Sequence, residues 1–248
     1  MSTVSIIQSC YIPWKGYFDI VNSSDIFIIL DSVQYTVNDW RNRNQIYTRT
    51  GPQWLTIPVQ RSGHLSKRID EVTVSDGRWA AKHLSSVLQS YARSAHIATY
   101  RDMLTGLYRQ AAEETRLSAI NRLFFDAISK ELGITAKVID SADIMPVEIL
   151  QAMDPNERLI RLIKEVGGTC YVSGPAAKSY MDIDGMNANN IDVYWANYSE
   201  YPEYSQLTQP FNNYVSILDV LLHNGQQAAK FLKTFSQPLS SFLIPAKS

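Results

Sequence analysis

Long apolar runs are missing from this chain. No stretch approaches the roughly 20 residues that a bilayer span needs, and the first residues lack the basic-then-apolar pattern of a secretion signal. A soluble, cytoplasmic protein is therefore expected. Cysteine is scarce: Cys10 and Cys170 are distant in sequence and have no C-x-x-C or Cys/His spacing, which argues against a disulfide framework or a zinc cluster. Both read as free thiols in a reducing compartment. The histidines, His64, His83, His96 and His223, form no metal-spaced pair. An excess of one charge is also lacking. The formal net charge is −1 and the basic residues are dispersed, which argues against dedicated binding to nucleic acid or an anionic membrane. A local phosphate pocket remains compatible with that balance. There is no internal repeat and no low-complexity tract.

What is present is an ordinary core-forming composition. With 45% hydrophobic residues over 248 positions, the chain can build a core without a metal or disulfide. Its 14 Tyr and 5 Trp outnumber 8 Phe, a surplus of rings with polar tips that suits a cleft for a sugar, a base or another flat polar ligand.

Two short apolar runs, Ser5-Ile6-Ile7 and Asp25 to Leu30, read as buried strands, and each leads into a segment crowded with polar and aromatic groups. Strand ends at one edge of an α/β sheet are where ligands bind, so Gln8, Tyr11, Trp14, Asp31, Gln34 and the run Arg41-Asn42-Arg43-Asn44 are candidates for one cleft. Gly51-Pro52 marks a turn, and Gln53 to Val59 alternates as a strand paired with the stretch around Gln45 to Tyr47. A polar loop containing Gly63 and His64 follows, and Ile69 to Val74 reads as a returning strand. From Trp79 to about Leu132 the apolar spacing becomes helical, stopped by Gly133. Ala136 to Asp140 reads as a strand. Asp154-Pro155-Asn156-Glu157 carries an N-cap, a first-turn proline and a capping-box glutamate. Thr169 to Val172 is a buried strand that ends in Ser173-Gly174, with a helix expected through Tyr180. A strand at Ile191 to Trp195 and a helix at Ser216 to His223 complete the order. The predicted fold is α/β: a mostly parallel, Rossmann-like sheet with helices on its faces, a β-hairpin insertion and a helical insertion at about 79–132, in a single domain over 1–248.

The Arg41 to Asn44 run has two readings. Its guanidiniums hold a phosphate or carboxylate, or it is a solvated hairpin edge with one arginine paired to Asp39. In an extended segment Arg41 and Arg43 share one face, with Asn42 and Asn44 on the other. Pro13 to Phe18 lies where the first strand turns into a helix. Its unpaired N–H groups favour an anion there, Gly16 would admit a ligand to the backbone, and Trp14, Tyr17 and Phe18 also serve as core anchors. Ser173-Gly174 is a second strand-to-helix turn, distinct from G-x-S-x-G and from a P-loop. Cys10 ends the first strand, but no base partner for a nucleophilic thiol is legible. Asp182 and Asp184 read as solvated.

The phrases Q-x-x-Y-I-P-W-x-G-Y-F-D, S-D-I-F-I-I-L-D-x-V-Q-Y, R-N-R-N, G-P-Q-W-L-T-I-P-V, Y-V-S-G-x-A-A-x-x-Y and S-I-L-D-V-L together resemble the WbqC-like family of bacteria. The resemblance runs from about residue 5 to residue 225. It implies a setting in O-antigen or other surface polysaccharide synthesis and a glycine transferase that acylates an amino sugar. Position by position it selects Gln8, Tyr11, Pro13, Trp14, Gly16, Tyr17, Asp31, Gln34, Asn42, Arg43, Asn44, Trp54, Ser173, Gly174 and Asp219. Ser9 stands where relatives usually carry proline, and the positions of Cys10 and His223 vary among them.

The function expected is therefore amide formation between glycine, or a related acyl unit, and the amino group of a nucleotide-linked amino sugar. Asp31, Arg43 and Asn44 are the expected catalytic residues. Gln8, Tyr11, Trp14, Gly16, Tyr17, Gln34, Arg41, Asn42, Trp54, Ser173 and Gly174 are expected to bind substrate. No metal and no tightly bound cofactor are expected, but amide formation from a free carboxylate is uphill in water. The donor must arrive activated, through ATP, an aminoacyl-tRNA or a thioester carrier. The alternatives are a non-catalytic nucleotide-sugar binding or delivery protein, and a nucleotidyltransferase.

Overall fold

The computed structural model describes residues 2–60 and 66–246. Along the chain run β1 (Thr3–Ile7), α1 (Lys15–Asn22), β2 (Ile26–Ile29), β3 (Arg43–Thr48), β4 (Gly51–Thr56), α2 (Arg78–Ser90), α3 (Ile97–Glu113) and α4 (Leu117–Leu132). These are followed by β5 (Lys137–Asp140), α5 (Ser141–Ile144), α6 (Val147–Ala152), α7 (Pro155–Glu165), β6 (Cys170–Ser173) and α8 (Ile183–Ala188). The C-terminal part adds β7 (Asp192–Ala196), α9 (Ile217–Asn224), α10 (Lys233–Ser236), α11 (Leu239–Phe242) and β8 (Leu243–Pro245).

The main sheet has the order β5-β2-β1-β6-β7-β8, parallel except for β8, which pairs antiparallel with β7. Strands covered on both faces read as continuous apolar runs, which is why β1 and β2 stand out in the sequence. Alternation assigns their faces. Val4, Ile6, Ile28 and Leu30 pack against Leu162 and Ile163 of α7, while Phe27 and Ile29 join Phe124 and Phe125 of α4 on the other side. Successive parallel strands advance outward from β1 through β2 to β5, then return to the other side of β1 at β6. The order reverses between β1 and β6, and ligands bind at the carboxyl ends of strands flanking such a reversal.

The hairpin β3–β4 forms its own two-stranded sheet, with Arg43 opposite Thr56 and Thr48 opposite Gly51. Its turn falls at Arg49-Thr50, so the second strand begins at Gly51 rather than Gln53. Two further expectations are corrected. Ile69 to Val74 is not a ladder strand but a 3-10 turn at Ile69–Glu71 followed by single bridges, Val59 to Val74 and Thr73 to Arg116. The Glu71 carboxylate accepts the Arg68 N–H at 3.0 Å and the Glu71 N–H donates to the Arg68 carbonyl at 3.0 Å, satisfying backbone groups that a strand would have paired. After Ser173, Pro175 opens a 3-10 turn through Ser179 instead of an α-helix. The loop expected to contain Gly63 and His64 lies outside the described residues. Asp154 caps α7 by accepting the Asn156 N–H at 2.9 Å, as its position predicts.

A buried polar network joins α1 to α9 and to the C-terminal segment. Asp219 accepts from Tyr91 (2.9 Å), Tyr204 (2.6 Å) and Gln206 (2.8 Å), and Asp19 accepts from Tyr201 (2.7 Å) and Thr234 (2.8 Å from its backbone N–H). Lys15 places its ammonium 4.5 Å from the centre of the Tyr201 ring and donates to the Pro202 carbonyl at 3.4 Å. Burial lowers its pKa to about 8, against the opposing pull of Asp19 and Asp219. Among the described residues no helix is long and apolar enough to cross a membrane.

Candidate functional site

At the reversal between β1 and β6 lies a cavity of about 1040 Å³. Its floor comes from the ends of the two strands, Ile7 and Gln8 on one side and Tyr171 and Ser173 on the other. One wall is aromatic: Trp14 packs edge-on to Tyr198, with ring centres 4.9 Å apart, and lies 5.6 Å from Tyr214. The other wall is formed by Trp40, Arg41 and the first turn of α7, which contributes Pro155, Arg158 and Leu159. Among the described residues, the charged side chains lining the cavity are Arg41 and Arg158, and no carboxylate, histidine or lysine joins them.

Both guanidiniums are fixed from behind by the backbone. Arg41 donates through Nη1 to the carbonyls of Gln8 (3.1 Å) and Ser9 (3.2 Å) and to Sγ of Cys10 (3.1 Å), and its Nε lies 3.6 Å from Asp39. Arg158 donates through Nε to the Leu150 carbonyl at 2.6 Å and through Nη2 to the Met153 carbonyl at 3.0 Å. Among the described residues Arg158 has no carboxylate within ion-pair distance. A guanidinium held on two edges and left electrostatically uncompensated is a preorganised receptor for phosphate or carboxylate. The Cys10 thiol beside Arg41 is pushed by burial up to about 11 and stays protonated at neutral pH.

The loop from Gln8 to Trp14 is kept in shape by Asn44. Its Nδ2 donates to the carbonyls of Tyr11 (3.2 Å) and Ile12 (3.0 Å). Ile12 has φ of 37°, a left-handed value that a β-branched residue adopts only where its surroundings impose it. Asn44 therefore lines the cavity and holds its rim. Gly16 lies under the Trp14 indole, where a Cβ would overlap the ring. Its lack of a side chain admits the Trp14 indole. Gly174 similarly makes room for the Tyr198 hydroxyl, which a Cβ would approach at 3.3 Å.

The structure brings together Gln8, Trp14, Tyr17, Gln34, Arg41, Asn44, Ser173 and Gly174 around this cavity. Other expected residues lie elsewhere. Tyr11 is buried in the core, its hydroxyl 3.0 Å from Nδ1 of His83 and 2.8 Å from the Tyr108 hydroxyl. Asn42 donates to the Ile57 carbonyl at 2.9 Å and closes the base of the hairpin. Arg43 does not share a face with Arg41: it stacks on Trp54, 4.4 Å from the ring centre, and bonds to Asn38. Asp31 faces a second recess of about 410 Å³ together with Ser9, Asp140 and Arg122. Ser32 lines both spaces, so the segments ending β1 and β2 form the partition between them. Asp31 accepts the Ser9 N–H at 2.8 Å. Burial pushes its pKa up to about 6, opposed by the Ser9 bonds and the Arg41 charge.

Sequence reasoning missed Arg158, Trp40, Tyr198 and Tyr214. The available signal for Arg158 was its place in the first turn of α7, the helix that leads into β6. Among the described residues no group of three or more His, Cys, Asp or Glu side chains is arranged to hold a metal.

No solved structure matches the chain. It is 40% identical over 233 residues to the uncharacterized protein Rv1507c of Mycobacterium tuberculosis, a match covering 94% of this chain and 98% of the relative. The model of the WbqC-like protein family matches residues 8–231, which include both cavity arginines and β6, and begins at Gln8, directly after β1. This chain belongs to the WbqC-like protein family.

Proposed function

We propose that this protein binds a nucleotide-linked amino sugar in the cavity between β1 and β6 and transfers an acyl unit, glycine or a related amino acid, to its amino group. The setting is synthesis of O-antigen or another surface polysaccharide. The observation that carries the reading is the Arg41–Arg158 pair. Two fixed guanidiniums, Arg41 shared with Asp39 and Arg158 without a carboxylate partner among the described residues, favour a ligand with clustered negative charge, and a sugar diphosphate supplies it. The predominantly apolar and aromatic remainder suits the sugar and base.

In the reaction the neutral amine attacks the acyl carbonyl, the C–N bond forms, the activating group leaves with its electron pair, and the amine gives up a proton. The donor is activated beforehand by ATP, by tRNA esterification or as a thioester. Asp31 accepts that proton only when the amine sits at the Ser9–Ser32 partition, because its carboxylate faces the recess behind it. Arg43 and Asn44 serve as supports of the rim in this reading.

A second reading, a non-catalytic protein that binds or delivers a nucleotide sugar, is favoured by one observation: no carboxylate or histidine lines the cavity among the described residues. The two separate in one experiment. Purified protein is incubated with UDP- or dTDP-linked amino sugars and glycine activated in each of the three ways, and products are read by mass spectrometry. Transfer predicts an N-glycylated nucleotide sugar with at least one donor. Tight binding with no product under any donor supports delivery. A nucleotidyltransferase would instead release pyrophosphate without an amine acceptor.

A further inference from the structure

Trp40 is part of the cavity lining and yet 45% exposed. Trp54 beside it is 41% exposed, so the two indoles form one exposed aromatic patch at the cavity mouth, and contiguous exposed apolar patches mark binding surfaces. The geometry of Trp40 is rigid. The backbone N–H is bonded to Oδ1 of Asp39 at 2.7 Å and the carbonyl accepts the Tyr11 N–H at 3.1 Å. The indole is backed by Trp54, with ring centres 5.4 Å apart and planes 36° from parallel. Trp54 is in turn covered by the Arg43 guanidinium at 4.4 Å, and Arg43 is tied to Asn38. Cation, ring and ring thus lie against one another, and Trp40 is the member that lines the cavity. The next residue, Arg41, is anchored in the cavity wall.

We propose that Trp40 is the stacking platform for the base of the bound nucleotide, with Trp54 and Arg43 as its backing. The inference rests on the nucleotide-sugar reading and deepens it by fixing the ligand's direction. The base lies at the rim, the phosphates meet Arg41 and Arg158, and the sugar occupies the space beneath Trp14 and Tyr198. A planar base suits a layered aromatic platform because every base presents a π-face. The enclosed part of the cavity, where water is most restricted, is then left to the sugar.

The test is calorimetric titration of the full chain with a panel of free nucleoside monophosphates (UMP, dTMP, CMP, AMP and GMP), with glucosamine 1-phosphate and with UDP-glucosamine. Wild type is compared with Trp40→Ala, Trp40→Phe and Arg158→Ala. Trp40→Ala is expected to weaken the best nucleoside monophosphate and UDP-glucosamine by roughly fivefold or more, to leave glucosamine 1-phosphate unchanged, and to be largely rescued in Trp40→Phe. Arg158→Ala is expected to weaken all three. If Trp40→Ala binds nucleotides as wild type does while Arg158→Ala does not, the platform is wrong and the reading of the cavity stands. If Trp40→Ala weakens glucosamine 1-phosphate instead of the monophosphate, the direction is reversed and the proposal is overturned. If wild type binds none of the panel, platform and reading both fall.

Discussion

The backbone N–H of Ser9 donates to Oδ1 of Asp31 across 2.8 Å, joining the ends of β1 and β2 at the partition between two cavities. A carboxylate 7% exposed with a pKa raised to about 6 opposes the folded state when ionised. The folded chain holds its proton up to about pH 6, whereas the unfolded chain loses it near 3.8, the ordinary aspartate value. Asp31 therefore makes stability fall as pH rises from about 4 to about 6, by about 3 kcal/mol in all, with no further change above. Asp31→Asn should gain stability relative to wild type at pH 8 and lose that gain near pH 4, while abolishing acyl transfer if Asp31 takes the amine proton. Urea unfolding at the two pH values checks the first statement; a variant less stable than wild type at pH 8 would show that the ionised group is a net stabiliser.

Asp219 is fully buried beneath three donors from different segments, Tyr91, Tyr204 and Gln206. Asp219→Ala strands all three, and the expected loss is about 3–5 kcal/mol. Tyr204→Phe removes one bond of the set and should cost about 1–3 kcal/mol. Denaturant midpoints for both variants measure this, and equal losses would mean that the network does not act as described.

Tyr11 belongs to the core despite its place in a cavity-forming loop. Tyr11→Phe leaves the Tyr108 hydroxyl and His83 without that partner and should lower stability by about 1–3 kcal/mol. Its ligand affinity should equal that of wild type, measured by titration well below the melting temperature. A marked loss of affinity at unchanged stability would return Tyr11 to the binding residues.

Gly16→Ala sets a Cβ against the Trp14 indole. Alanine is ordinarily the better helix former by about 1 kcal/mol, so a destabilised variant isolates the clash. Both lower stability and weaker ligand binding are expected, because the displaced indole is a cavity wall. A variant more stable than wild type with normal binding would show that Trp14 moves aside freely.

Much of this architecture is legible in the residues, for identifiable reasons. β1 and β2 are covered on both faces and read as continuous apolar runs, and α7 announces itself through Asp154 and Pro155. The site was legible to the extent that it lies just beyond those strands, as Gln8 does, or in the polar run that opens the hairpin, as Arg41 and Asn44 do. It was obscured where a side chain's partner is a backbone group distant in sequence. Asn42 and Asn44 look like ligand-binding amides but bond to Ile57 and Ile12. Arg158 looks like any helix-surface arginine until the carbonyls of Leu150 and Met153 come beneath it. The tyrosine surplus, read as a cleft signal, is divided: Tyr17, Tyr198 and Tyr214 line the cavity, while Tyr11, Tyr91, Tyr108 and Tyr204 place their hydroxyls in buried networks.

The most direct test of the account is calorimetric titration of the UDP- or dTDP-linked amino sugar that wild type binds best into Arg158→Ala and Arg158→Lys. Loss of a charge-assisted contact to phosphate corresponds to about tenfold or more in affinity. The account predicts that loss in Arg158→Ala, partial recovery in Arg158→Lys, and folded variants whose melting temperatures fall by the several degrees that losing the bonds to Leu150 and Met153 costs. Unchanged affinity in a folded Arg158→Ala would contradict it and move the phosphate site away from the β1–β6 reversal.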